Sequence, residues 1–493
     1  MVGRRPDAMR TVTHGMKCAG SSGPSCFWRD VAGNFTSLPQ HFKQSGYYAV
    51  SFGKVYDQRT ANGTTCDYPL SWSEKPMYCS TAGTTLTCLK GVPCPLRLSH
   101  WIYNASQVIG NLTDVQTADA AVAWLGRRAQ KTKKAKLQPF FMAVGFHRPH
   151  LPWIVDQASL DANPPDKNDQ PPPNNFAPDG MPIIAWTDSD EFFGYGVGAN
   201  MSGSNGSYGK FQAGGVNQSL TFPRKWTAEL RRFYKAAVTH TDTMIRRVLA
   251  SLDATGERDN TIIALWGDHG WHIGEQGLWG KCTLFEVATR APMLLSVPGL
   301  AAQAMSISAL SEHVDLFPTL SELAEISVPP PCDRGGMQTA LCTQGTSLVP
   351  LLSGSAQAVR NASFSLWPNP AVGSRRQCKT GQYAPVRGST PEPCAATHGN
   401  LQFPGLMGYS MVAQDGRRYT EWVNMSYPDG AKPGGRWVPL WNETRDVEYY
   451  LTESNVRNAA VSPPPDAATR SAMAALSAQL RNAWTLQAAS STA

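Results

Sequence analysis

The chain has 493 residues, a formal net charge of +7 and 42% apolar residues. That length allows one large domain plus a smaller one, with ample apolar content for a core. The modest charge demands no nucleic-acid partner, no apolar run is long enough to span a membrane, and the first residues do not read as a secretory signal.

Taken in chain order, residues 47–53 read as a short strand that ends in Gly53-Lys54. Residues 115–130 read as a helix. The dense basic run Lys131-Thr132-Lys133-Lys134-Ala135-Lys136 after it reads as a solvated loop. Residues 139–145 form an apolar strand, and Phe146-His147-Arg148-Pro149-His150-Leu151-Pro152-Trp153 follows at once. Residues 154–222 are loop-rich, with Pro171-Pro172-Pro173 and many Gly, Asn and Ser. Residues 227–252 read as a long amphipathic helix, with Leu230, Phe233, Ala237, Met244, Val248 and Leu252 near one face. A β-branched strand over 261–266 comes next, then a strand over 292–297 and a helix over 315–323. Strands alternating with helices predict an α/β fold, a mostly parallel sheet flanked by helices. After Leu352 the pattern changes. Residues 406–412 and 418–423 flank Gln414-Asp415-Gly416, a hairpin signal. Met473, Leu476, Leu480 and Trp484 form one stripe of a final helix. The expected division is residues 1–352 as a large α/β domain and 353–493 as a small antiparallel sheet-plus-helix subdomain.

The candidate chemistry collects at the predicted strand ends, where open α/β sheets bind ligands. Leu265-Trp266-Gly267-Asp268-His269-Gly270 places a carboxylate and an imidazole side by side, an oxygen and nitrogen set suited to a divalent cation. Lys281 follows a Gly-rich turn and can bring positive charge to an anion. His147, Arg148 and His150, stiffened by Pro149 and Pro152, mark an anion site at another strand end. Lys54 alone is a weak signal, because exposed lysines are ordinary.

These residues resemble a family. GDHGWHIGEQGLWGK from Gly267 and FEVATRAPMLLSVPG from Phe285 are similar to the formylglycine sulfatases of the alkaline phosphatase superfamily, most of all the iduronate-2-sulfatase branch. FFMAVGFHRPHLPW, SFGKVYD, GRRPDAMR and VDLFPTL match the same branch in the same order. The resemblance implies an alkaline-phosphatase-like fold and a sulfuric ester hydrolase acting on a sulfated sugar. It implies Ca²⁺ on Asp268 and His269, sulfate oxygens on Lys54 and Lys281, and His150 facing the sulfate or the leaving oxygen. Arg148 would meet a carboxylate or second anion on the sugar. His272 and Gln276 would be supporting residues.

The family also has a Cys-x-Pro-Ser-Arg motif, whose cysteine becomes formylglycine, roughly ten residues before the segment that is Gly3-Arg4-Arg5-Pro6-Asp7 here. No such motif occurs in this sequence. An incomplete chain is the favoured reading, a scaffold that has lost its nucleophile the other. As written, the chain is expected to be inactive. A second departure is Asp57, where the resemblance implies a histidine. The alternatives are a non-catalytic sulfated-glycan-binding pseudoenzyme, or a phospho- or phosphonohydrolase of the same superfamily. Ten Asn-x-Ser/Thr sequons, at Asn34, Asn62, Asn104, Asn111, Asn200, Asn205, Asn217, Asn361, Asn424 and Asn442, point to a secretory route and a lysosomal or extracellular glycoprotein. The cysteine count is odd, at 11. Cys332 and Cys342 are expected to pair, as are two of Cys79, Cys88 and Cys94, and Cys378 with Cys394. Cys282 is expected to be a buried, inert thiol. Nothing in the sequence sets an oligomeric state.

Overall fold

The computed structural model describes residues 1–9, 28–56, 65–77, 87–88, 100–104, 106–132, 137–185, 224–300, 304–332, 339–368, 405–428, 437–451, 458–461 and 464–485. Asp57, Lys133, Lys134, Lys136 and the pairings expected among Cys79, Cys88, Cys94, Cys378 and Cys394 lie outside the described residues.

The apolar runs become strands where period and branching predict them. Tyr48–Gly53 pairs in parallel with Phe140–Gly145, with Gly53 opposite Gly145. The crossover between them includes the helix Thr113–Thr132, as a parallel pair requires. Ile263–Trp266 pairs with Met293–Ser296, and this pair is antiparallel. Alternation alone predicted parallel strands there. The connection from Gly267 to Pro292 holds only a short hairpin and the helix Glu286–Thr289, so the chain returns alongside itself without a long crossover helix.

Among the described residues the two pairs are not hydrogen-bonded to each other. They share packing instead. On one face Val50, Phe52, Ala121, Trp124, Leu125 and Leu252 form a cluster that takes in Met142, Val144 and Ile263. On the other, Leu38, Phe42, Phe317 and Leu320 gather Phe141, Ala264 and Leu295. Each such fully buried Leu or Phe contributes about 2 kcal/mol.

The long helix runs Arg224–Thr255 and buries Leu230, Phe233, Ala237, Met244 and Leu252, the stripe read from the sequence. Residues 154–185 are less loop-like than their composition suggests. Trp153–Val155 pairs in parallel with His100–Ile102 and packs its three fully buried side chains toward the long helix and the His100 strand.

The C-terminal sheet has four antiparallel strands, Ala362–Pro368, Leu406–Ala413, Arg418–Ser426 and Val438–Tyr450, with the helix Ala467–Thr485 on one face. The sequence signalled only the central hairpin. Leu476, Leu480 and Trp484 bury against it, as the stripe predicted. Cys332 and Cys342 form a disulfide. Cys66, which the sequence did not single out, is also disulfide-bonded. Cys282 is half-buried rather than buried, because it sits in the turn between Lys281 and Thr283. No described helix is long and apolar enough to cross a membrane.

Candidate functional site

Four segments meet at the carboxyl ends of the central strands. Gly53 has φ +72°, and the Lys54 amide donates to the Gly145 carbonyl at 2.7 Å. A Cβ on Gly53 would lie 2.1 Å from the Gly145 oxygen, and one on Gly145 would lie 1.9 Å from the Lys54 oxygen. Only glycine at both positions lets the two strand ends approach so closely. This contact brings the Lys54 segment against the loop that carries His147 and His150.

That loop is tied to the first turn of the helix Thr113–Thr132. Asp114 is fully buried and accepts from the His147 amide at 2.5 Å and from the Arg148 guanidinium. Burial alone would raise the Asp114 carboxyl, but the Arg148 charge and the His147 amide hold it below its ordinary range. Arg148 is 4% exposed, and its Nε also donates to the Ile154 carbonyl at 2.5 Å. The guanidinium expected to meet substrate therefore points inward. The cause is Asp114, a partner 34 residues upstream that local reading does not pair with it.

One carbonyl sets both imidazoles. The Leu151 oxygen lies 3.1 Å from His147 Nε2 and 2.8 Å from His150 Nδ1. A carbonyl only accepts, so each of those nitrogens carries a proton. His147 Nδ1 is then a bare acceptor. It is buried and has no hydrogen-bond partner among the described residues. Burial, with the charges of His150 and Lys54, lowers the His147 pKa to about 4, so that ring stays neutral. His150 Nε2 faces Lys281 Nζ at 3.1 Å, and Lys281 Nζ also lies 5.5 Å from the Trp271 ring centre. Trp271 in turn stands 5.9 Å from His150 and 6.4 Å from His269.

Asp268 and His269 follow Ile263–Trp266. His269 Nδ1 donates to the Gly270 carbonyl at 2.8 Å, which leaves Nε2 beside Asp268 Oδ2 at 3.6 Å. Two donors at that spacing can share one cation with bonds of roughly 2.3–2.6 Å. Burial would raise the Asp268 carboxyl. His269, Lys54 and Lys281 together outweigh it and keep Asp268 ionised. Among the described residues there is no group of three or more His, Cys, Asp or Glu that could hold a metal. Asp268 offers carboxylate oxygens of the kind Ca²⁺ takes and His269 a ring nitrogen, and together they would make only part of a shell of roughly six to eight ligands.

The sequence reading missed His313. Its ring hydrogen-bonds the Gly267 carbonyl, close to Asp268, and burial lowers its pKa. The only local signal was a histidine directly before VDLFPTL. His272, a supporting residue by sequence, is fully buried: Nδ1 donates to the Glu275 carbonyl at 3.1 Å, and Nε2 meets the Thr283 hydroxyl at 2.8 Å. Gln276 is buried too, with φ +54° and its amide 2.6 Å from the Asn174 carbonyl.

Known proteins resemble this chain at two levels, sequence and fold. Iduronate 2-sulfatase of Mus musculus is 30% identical over 468 residues, covering 86% of this chain and 75% of its own length. The Homo sapiens enzyme is 29% identical, covering 92% of this chain and 80% of its own. Among solved structures, a 2-O GAG sulfatase superposes with a TM-score of 0.57 at 17% identity over 99% of this chain and 80% of its own. A phosphonate monoester hydrolase from Silicibacter pomeroyi gives 0.57 at 19% over 98% and 83%. Those two likenesses establish the alkaline-phosphatase-like α/β fold and do not separate the two chemistries. The sequence does: the family description "Sulfatase" matches residues 7–326, and this chain belongs to the sulfatase family.

Proposed function

We propose that the site binds the sulfate group of a sulfated sugar, in the manner of an iduronate-2-sulfatase acting on a glycosaminoglycan. Membership of the family makes the scaffold that of a sulfuric ester hydrolase. The observation that carries the reading is the convergence of Lys54, His150 and Lys281 with Asp268 and His269 at neighbouring strand ends. Lys54 and Lys281 hold sulfate oxygens and balance charge that builds in the transition state. Lys281 already donates toward His150 Nε2, so an arriving sulfate oxygen can replace the imidazole as its partner. His150, released with its Nδ1 proton held by Leu151, faces the leaving oxygen. Arg148 acts through Asp114 to hold this loop, and His147, its Nδ1 buried, supports the loop rather than meeting the sugar. Asp268 and His269 provide part of a Ca²⁺ shell, and the cation would polarise the sulfate.

The chain as written contains no Cys-x-Pro-Ser-Arg and so no residue that could become formylglycine. It is therefore expected to bind sulfated sugar without turning it over. The exposed sequon asparagines Asn34, Asn104, Asn111, Asn361 and Asn442 support a secretory, glycosylated protein. The test is calorimetry with a 2-O-sulfated iduronate disaccharide, its desulfated form and a phosphonate monoester as control. Sulfate-dependent binding that weakens tenfold or more in Lys54→Ala and Lys281→Ala is the expected result, with no hydrolysis of a chromogenic aryl sulfate. Equal binding of sulfated and desulfated sugar overturns the reading.

A further inference from the structure

The turn that carries Lys281 is held from two sides, and one of them is the C-terminal sheet. On the near side, the Thr283 hydroxyl meets His272 Nε2 at 2.8 Å, and the Thr283 amide donates to the Lys281 carbonyl at 2.7 Å. On the far side, Arg418 begins the strand Arg418–Ser426 opposite Tyr450 and is 1% exposed. Its Nη1 leaves its own sheet to donate to the Leu284 carbonyl at 3.0 Å. Its guanidinium lies 4.5 Å from the Phe285 ring centre and 4.4 Å from that of Tyr450.

A buried guanidinium needs a counter-charge. Glu448 stands 3.7 Å from Nη2 and is fixed by Trp422 Nε1 at 2.9 Å and the Tyr450 hydroxyl at 2.7 Å. The sheet also makes room for the turn. A Cβ on Gly408 would lie 2.7 Å from Leu284 Cδ1. Between Lys281 and Leu284 there is no slack, because the Thr283 amide closes the turn onto Lys281 itself.

We propose that Arg418, braced by Glu448, is a positioning residue that fixes Lys281 against His150 and Trp271 through the Leu284 carbonyl and the Phe285 ring. This rests on the reading of Lys281 as an oxyanion-holding group. The C-terminal sheet is thereby coupled to the site through the turn that carries Lys281.

The test reads the Lys281 side chain directly. Lysines of the whole folded chain are dimethylated with ¹³C-formaldehyde, which keeps their charge. The Lys281 resonance is assigned by its loss in Lys281→Arg. The Trp271 ring, 5.5 Å from Nζ, sets that resonance apart from exposed lysines. Lys43, held by the Pro69 and Trp72 carbonyls at 2.6 and 2.9 Å, reports that the fold is intact. In Arg418→Met the Lys281 signal should move into the exposed-lysine envelope while Lys43 stays, and Arg418→Lys should restore part of the shift. An unmoved Lys281 signal in folded Arg418→Met overturns the proposal. Should Arg418→Met lose the Lys43 signature, Phe285→Leu decides: it removes the ring under the guanidinium, and an unchanged Lys281 signal there overturns the proposal equally. A wild-type protein that fails to bind sulfated sugar would overturn the oxyanion reading and leave the resonance result standing.

Discussion

Acidification should unlock the fold at His272. Burial lowers the His272 pKa from 6.5 to about 4, with Arg418 adding to the effect. Between those values the unfolded chain binds a proton that the folded chain refuses, so stability falls as pH drops below 6.5 and the loss is complete below 4. The full shift corresponds to about 3 kcal/mol at roughly 1.4 kcal/mol per unit, and about 2 kcal/mol of it falls between pH 7.5 and 5. The geometry explains the refusal. His272 Nδ1 donates to the Glu275 carbonyl and Nε2 meets the Thr283 hydroxyl, neutral partners that do not offset the desolvation of a buried imidazolium. The assay is urea unfolding at both pH values for the wild type and for His272→Asn, which keeps a neutral donor and removes the titration. His147, also lowered to about 4, titrates in both proteins and cancels in the comparison. The wild type should lose about 2 kcal/mol more than the variant on acidification. Equal losses would refute the assignment of the protonation cost to His272.

Asp114→Asn should cost about 3–5 kcal/mol, because it leaves the buried Arg148 guanidinium without its counter-charge; a loss below about 1 kcal/mol in urea unfolding would show that water reaches the pair. Calcium should bind this chain weakly, on the order of millimolar, and Asp268→Asn should abolish it. Calorimetric titration checks this, and retained tight binding in the variant would put the cation elsewhere.

The strand ends were legible because each combines an apolar run with a glycine and then a charged residue. Asp268 and His269 could be named from that pattern, and His150 and Lys281 from the turns that follow, whereas Lys54 stayed a weak signal until the family resemblance singled it out; the structure places all five at neighbouring strand ends. What was not legible depends on partners distant in the chain. Arg148 turns inward because Asp114 meets it from a helix that no local pattern links to this loop. His313 stands directly before VDLFPTL but outside it, and Arg418 acts on the site through the Leu284 carbonyl, 134 residues away in the chain. The antiparallel return of Met293–Ser296 was hidden as well, since an apolar strand has the same spacing in either direction.

The two central strand pairs carry different halves of the site. Lys54, His147 and His150 ride on one, and Asp268 and His269 on the other. Among the described residues no backbone hydrogen bond joins them, and shared packing couples them. The helices Thr113–Thr132 and Arg224–Thr255, packed on each other and on the cluster around Leu125 and Leu252, act as the plate to which both are bolted. Packed side chains resist compression well but yield more readily to sliding than a hydrogen-bonded ladder does. The spacing between the imidazoles and the Asp268–His269 pair therefore has a mechanical component, the stiffness with which these two packed helices resist shear.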